Sequence, residues 1–205
     1  MSIDPIRHAN LAAIECEPRP QLPHGFRRSS TRIGAALGAE RTGLSVYELP
    51  PGQAVSPYHY ENPDEEWLLV VSGTPTLRHP GGEEQLEPLD LVFFPSGPAG
   101  AHLVRNGSET TARVAMFSSK AAAVGAVVYP DSDMVWMWTD DDAVDLIVER
   151  SSAVDYREQQ GGMTWPGSPT TSRPPQRSRR SESSRETGSR SGAKRYGVTC
   201  GRLRE

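Results

Sequence analysis

From residue 43 onward, short apolar runs alternate with breaks rich in glycine and proline. The runs are LSVYEL (44–49), EWLLVV (66–71), PTLRH (75–79), EEQLEP (83–88), LVFF (91–94), AHLVRN (101–106), TARVAMFSS (111–119) and AVVYP (126–130). They are rich in β-branched and aromatic residues, and no segment with a 3.6-residue period stands between them. Many short strands at close spacing predict an all-β domain, an antiparallel sandwich or barrel. The breaks carry turn chemistry: Pro80-Gly81-Gly82 closes a hairpin, and Pro50-Pro51-Gly52 and Asn106-Gly107-Ser108 supply two more turns. MVWMWT (134–139) adds an edge strand, whereas DAVDLIVERSSAV (142–154) fits a strand or a short helix equally well.

The flanks read differently. Residues 1–40 hold Pro5, Pro18, Pro20 and Pro23 and little periodicity, which predicts an extended N-terminal arm with a short strand near 26–33. After residue 156 the chain is dominated by Ser, Arg, Gly, Thr and Pro, and such a segment buries too little apolar surface to offset its ordering entropy. The expected organisation is therefore an arm (1–40), a barrel with a C-terminal extension (41–156) and a disordered basic tail (157–205). Charge follows the same division. The formal net charge of −4 combines 11 basic and 4 acidic residues from position 157 onward with 11 basic and 22 acidic residues before it, +7 against −11. An Arg/Ser-rich tail is a weak nucleic-acid signal, and a solvated tail is the expectation, with a shifted reading frame as the other source of so abrupt a change.

Two cysteines near opposite ends, Cys16 and Cys200, form neither a knuckle nor a redox pair, which points away from a disulfide framework. The first twenty residues lack a signal peptide's basic start and apolar run, and no stretch has the roughly 20 apolar residues that span a bilayer. The expectation is a soluble, cytoplasmic protein without a membrane partner.

Candidate chemistry is concentrated in residues 50–106. His59 and Glu61 are two apart, so on a strand both point to one face. Glu66 opens the next strand with Leu68 and Val70 on its face, and His102 opens a later one with Val104 and Asn106. Two imidazoles and two carboxylates from three strands can converge on one divalent ion inside a barrel. Glu65 rivals Glu66, but the inward face of the strand favours Glu66. The run Asp140-Asp141-Asp142 lacks the spacing of a calcium loop. His8, His24 and His79 are expected at the surface, Trp67, Phe93 and Phe94 in packing, and Arg78 and Arg105 either exposed or facing an anion.

These residues resemble the motifs of the cupins. The first reads Gly52, six residues, His59-Tyr60-Glu61, four residues, Glu66, six residues, Gly73; the second reads Leu89, five residues, Pro95-Ser96-Gly97, four residues, His102, three residues, Asn106. The resemblance implies a jelly-roll barrel, a double-stranded β-helix, with a divalent transition metal on His59, Glu61, Glu66 and His102. There are departures. Glu61 stands where the family has a second motif histidine, Leu89 replaces a turn glycine, and the loop before His102 is longer by two residues. With Glu61 as ligand the ion is nearly neutralised in a hard site that suits Mn(II), Fe(II) or Ni(II), with Zn as a further option. Alternatively His59, Glu66 and His102 form the metal face and Glu61 is free as a catalytic base.

The expected function is binding of a metal and a small oxygen-rich molecule, with dioxygenase, isomerase or decarboxylase chemistry. The alternatives are a non-catalytic binding module, or a regulatory protein whose basic tail contacts nucleic acid. A homodimer is expected, because open barrels expose sheet edges that need covering.

Overall fold

The computed structural model describes residues 7–120, 122–139 and 145–155. The Asp140–Asp142 run, Cys200 and the tail expected to be disordered lie outside them. The described chain is nearly all β. Strands β1 (Glu17–Pro18) and β2 (Ser29–Arg32) come first, then the one-turn helix α1 (Ile33–Ala36). β3 (Thr42–Leu49), β4 (Tyr60–Asn62) and β5 (Glu66–Ser72) follow, then the hairpin of β6 (Thr76–His79) and β7 (Gly82–Gln85). β8 (Leu91–Phe94), β9 (Leu103–Arg105), β10 (Ala112–Ser119), β11 (Val124–Tyr129), β12 (Met134–Thr139) and β13 (Leu146–Glu149) complete the order.

Three antiparallel sheets result: β1-β2-β3-β10-β5-β8, β13-β12-β11-β4 and β7-β6-β9. The runs read from the sequence thus become strands, with boundaries moved by one to a few residues. MVWMWT is the exception in placement. As β12 it pairs with β11 on one side and β13 on the other, so it is internal to its sheet and not an edge. The 142–154 segment resolves, where described, into β13 and a 3-10 turn at Arg150–Ser152.

The central strands pack on both faces. Along EWLLVV, Leu68 and Val70 are buried on one face while Leu69 and Val71 are half-buried on the other. The run therefore reads as continuously apolar instead of alternating, with Trp67 exposed at its start. Inward from β3, β10 and β5 point Leu49, Val114, Met116, Leu68 and Val70, packed with Leu77, Val104 and Phe94 into the barrel core. On the opposite face Val46 and Ala115 are fully buried against Ile33, with Leu11, Ile14, Leu37, Leu69 and Phe117 around them. The residues before β3 therefore cover the outer face of the sheet. Arg113 ties them down: its guanidinium donates to the carbonyl oxygens of Leu11 (2.8 Å) and Ile14 (3.0 Å) and pairs with Glu48.

Two motif positions are structural. Gly73 has φ 79°, and a Cβ there would lie 2.7 Å from the Ala112 Cα. Asn106, 1% exposed, donates to the carbonyls of Leu49 and Thr110 (both 2.7 Å) and accepts from the Ser108 amide (3.0 Å) and hydroxyl (2.8 Å), so it fastens the turn between β9 and β10 to the end of β3.

Leu89, at the position of the missing turn glycine, has φ 74° with its side chain 78% exposed. The left-handed conformation costs an L-residue about 1–2 kcal/mol, of which the flexibility of glycine in the unfolded chain returns a part. Leu89→Gly is expected to stabilise the fold by about 0.5–1 kcal/mol. Thermal unfolding checks it, and a lowered melting temperature would show that this turn is unstrained.

Candidate metal centre

His59 and His102 lie just before β4 and β9, and their backbones face each other in an antiparallel bridge, His59 N–H to His102 O at 3.0 Å and His102 N–H to His59 O at 2.8 Å. The two rings are thereby held 4.6 Å apart between centroids. Phe94 stacks on His102 at 3.8 Å and 10°, and Tyr129 stacks beside His59 at 5.9 Å and 27°. Both imidazoles are buried, at 6% and 2% exposure.

The orientation of each ring follows from its Nδ1. That of His59 sits 2.9 Å from the Pro57 carbonyl oxygen, with the Ser56 hydroxyl at 3.2 Å; that of His102 sits 2.9 Å from the Gly100 carbonyl oxygen. A carbonyl only accepts, so each Nδ1 carries the proton and each Nε2 keeps its lone pair. Both Nε2 atoms face Glu66, whose Oε2 lies 3.5 Å from that of His102 and 3.9 Å from that of His59. One ligand atom from each of the three residues falls within 4.8 Å of the others. The His102 Nε2 has no hydrogen-bond partner despite its burial. Two neutral imidazoles and a carboxylate with an orphaned lone pair fit a divalent transition ion.

Glu61 is not in this group of three. It is on β4, opposite Val127 of β11, and its Oε2 is also buried without a partner. Glu61 and Glu66 both line a cavity of about 540 Å³, whose wall also contains Trp136, Trp138, Arg32 and Lys120. The rival Glu65 is exposed. Of the other residues weighed from sequence, Phe94 packs on the site while Trp67 and Phe93 contact each other, 42% and 41% exposed. Arg78 is taken by Asp131 and Arg105 by Glu83.

The electrostatics are those of a site with too little positive charge. Burial, reinforced by Glu61, pushes the Glu66 pKa up to about 8. Burial raises Glu61 as well, against the pull of Lys120. Burial, and then the neighbouring His59, lower His102 to about 3, and burial lowers His59. Lys120 does not relieve the carboxylates fully, because its ammonium pairs with Asp64 at 3.2 Å and lies 5.6 Å from the Trp138 ring. Asp64, 2% exposed, also accepts from the Ser119 hydroxyl at 2.9 Å. Neither Asp64 nor Lys120 carries a sequence signal; only the pairing of β5 with β10 brings them together.

A barrel with two histidines and a glutamate converging at its interior defines a β-barrel protein with a candidate mononuclear metal centre. Residues 45–118 match the family model described as the cupin domain, and the barrel of this chain is a cupin domain. Among solved structures, a putative sugar phosphate isomerase from Acidithiobacillus ferrooxidans superposes with a TM-score of 0.63 at 23% identity, over 72% of this chain and 92% of the other. A sugar phosphate isomerase of the cupin superfamily from Silicibacter pomeroyi superposes with a TM-score of 0.61, also at 23% identity, over 74% and 98%. Likeness at this identity carries the fold. No curated protein matches the chain.

The pKa shifts predict a pH signature in chelator-treated protein. Glu66 binds its proton more tightly folded than unfolded, so the stability this group contributes is complete below its ordinary 4.5 and is lost as pH rises to about 8. His102 acts in the opposite sense, with its contribution complete above 6.5 and lost on acidification. Glu66→Gln is therefore expected to gain melting temperature over wild type progressively between pH 4.5 and 8. A gap that stays constant across that window would show that Glu66 is not proton-linked.

Proposed function

We propose that this protein holds one divalent transition metal ion on His59, Glu66 and His102 and, with Glu61 as proton carrier, isomerises a small oxygen-rich substrate in the adjoining cavity. The observation that carries the reading is the position of Glu61: buried, with an unpartnered oxygen, outside the group of three and in the same cavity wall as Glu66. The bound ion would polarise a substrate carbonyl as a Lewis acid. Glu61, whose pKa is raised by burial, removes a proton from the carbon beside that carbonyl and returns it to the carbonyl carbon, while a hydroxyl proton passes between the two oxygens. Trp136 and Trp138 restrict water in the cavity wall. The names of the two structural neighbours agree with this reading; the identity level means they do not carry it. A homodimer through the open edge at β8, where Leu91 and Phe93 are exposed beside Trp67, belongs to the same proposal and is checked by mass in solution.

Elemental analysis of untagged protein is expected to find about one transition metal per chain, lost in His59→Ala and His102→Ala. With candidate hydroxy-carbonyl substrates in deuterated buffer, wild type is expected to incorporate solvent deuterium at carbon without consuming O₂. Glu61→Gln should keep its metal and lose exchange by roughly 10²–10⁴-fold. Oxygen consumption would replace isomerisation by oxygenation, and exchange unaffected by Glu61→Gln would remove Glu61 as the proton carrier.

A further inference from the structure

A second cavity, of about 480 Å³, lies against β2 and β3, and its wall contains Arg19, Arg28 and Arg32 and no acidic side chain. That composition is unusual in a region whose residues before position 157 carry 22 acidic against 11 basic side chains. Arg19 is paired with Glu17 at 3.3 Å. Arg28 and Arg32 have no carboxylate partner among the described residues. Arg28 lies over the Tyr47 ring at 5.2 Å and spends one guanidinium nitrogen on the Phe26 carbonyl at 3.3 Å, while its Nε is buried with no acceptor. Burial lowers its pKa, and Arg19 adds to the lowering. A buried guanidinium N–H without an acceptor is costly unless an anion arrives to accept it.

Register places this positive end on the same face as Glu66. Arg28, Ser30 and Arg32 alternate along the chain, and Ser30 and Arg32 pair with Tyr47 and Ser45. Ser45 pairs with Met116, which pairs with Leu68, and Glu66 shares the face of Leu68. Three strand spacings separate the Arg32 and Leu68 backbones, roughly 14 Å. Arg32, exposed at the end of β2, lines both cavities, and its long side chain makes that gap compatible with a small phosphorylated molecule. The two cavities share Arg32, Ser45 and Tyr47 in their walls.

We propose that Arg28 and Arg32, with the hydroxyl of Ser30, bind the phosphate dianion of a small phosphorylated substrate whose oxygen-rich end lies at Glu61 and Glu66. Two unpaired guanidiniums match a dianion, and their forked donors suit a phosphate. The spanning pose rests on the metal-dependent reading above, whereas the phosphate site does not.

The test uses the full chain, stripped of metal, with inorganic phosphate as probe and acetate as the monoanion control at matched ionic strength. Calorimetry is expected to show phosphate binding equally to wild type and His102→Ala, at least tenfold weaker in Arg28→Gln and in Arg32→Gln, and acetate at least tenfold weaker than phosphate. Circular dichroism establishes that each variant is folded, and Arg28→Lys, which keeps the charge and loses the fork, is expected to fall between. Phosphate binding that is absent in wild type, unchanged in both arginine variants or matched by acetate overturns the site. For the spanning pose, glycerol 3-phosphate should gain affinity over inorganic phosphate on addition of Mn(II) to wild type and not to His102→Ala. Equal affinities in wild type overturn the pose. Metal loss in His102→Ala, measured separately, judges the metal reading.

Discussion

Two backbone carbonyls, those of Pro57 and Gly100, decide what the buried imidazoles can do. Each accepts from the Nδ1–H of a histidine two residues along, which fixes the tautomer and turns both Nε2 lone pairs toward the same carboxylate. The carbonyls are themselves set by the segments entering β4 and β9, and the reciprocal amide bonds between His59 and His102 hold those segments together. Around this point the rest is support. Phe94 and Tyr129 pack the rings, and the Gly97 amide donates to the Glu61 carbonyl at 2.8 Å, holding the strand that carries the second carboxylate.

The doubly buried central strands have a second consequence. Because the outer faces of β3, β5 and β10 need covering, the chain before β3 is folded onto them, and on its way it adds β2 and β1 beside β3, completing the six-stranded sheet. That addition lengthens the interior face by two strands. It is how Arg32, far from the metal-type residues in sequence, comes to line the same cavity as Glu66, with Arg28 in the adjoining one.

Alternation and turn chemistry were enough to read most strands, because the pattern of buried positions along β5 or β10 is local information. The His59, Glu66 and His102 group was legible for the same reason: each stands at a strand entrance, on a face that its own neighbours identify. Phe94 was legible as packing. What resisted reading depends on pairing between distant segments. Nothing near Arg28 or Arg32 announces that their face continues into the barrel, and nothing in MVWMWT distinguishes an edge strand from one flanked by β11 and β13. Glu61 stayed open between ligand and base because spacing fixes the face of a side chain and not the depth to which its carboxylate reaches.

That depth matters through charge. Glu61 and Glu66 are buried close enough for Glu61 to raise Glu66, while the nearest cation, Lys120, is shared with Asp64. In water two carboxylates at this separation would both ionise near their ordinary pKa. In the barrel, without a cation, at least one keeps its proton near neutral pH. A divalent ion held by the Nε2 lone pairs and Glu66 would change the balance: it would favour ionised Glu66 and leave Glu61 facing a net positive centre, which favours the carboxylate form a base needs. An ion completing the three-residue group would thus also bias the protonation state of the fourth residue, and the departure from a histidine at position 61 would then have a chemical consequence beyond the loss of one nitrogen donor.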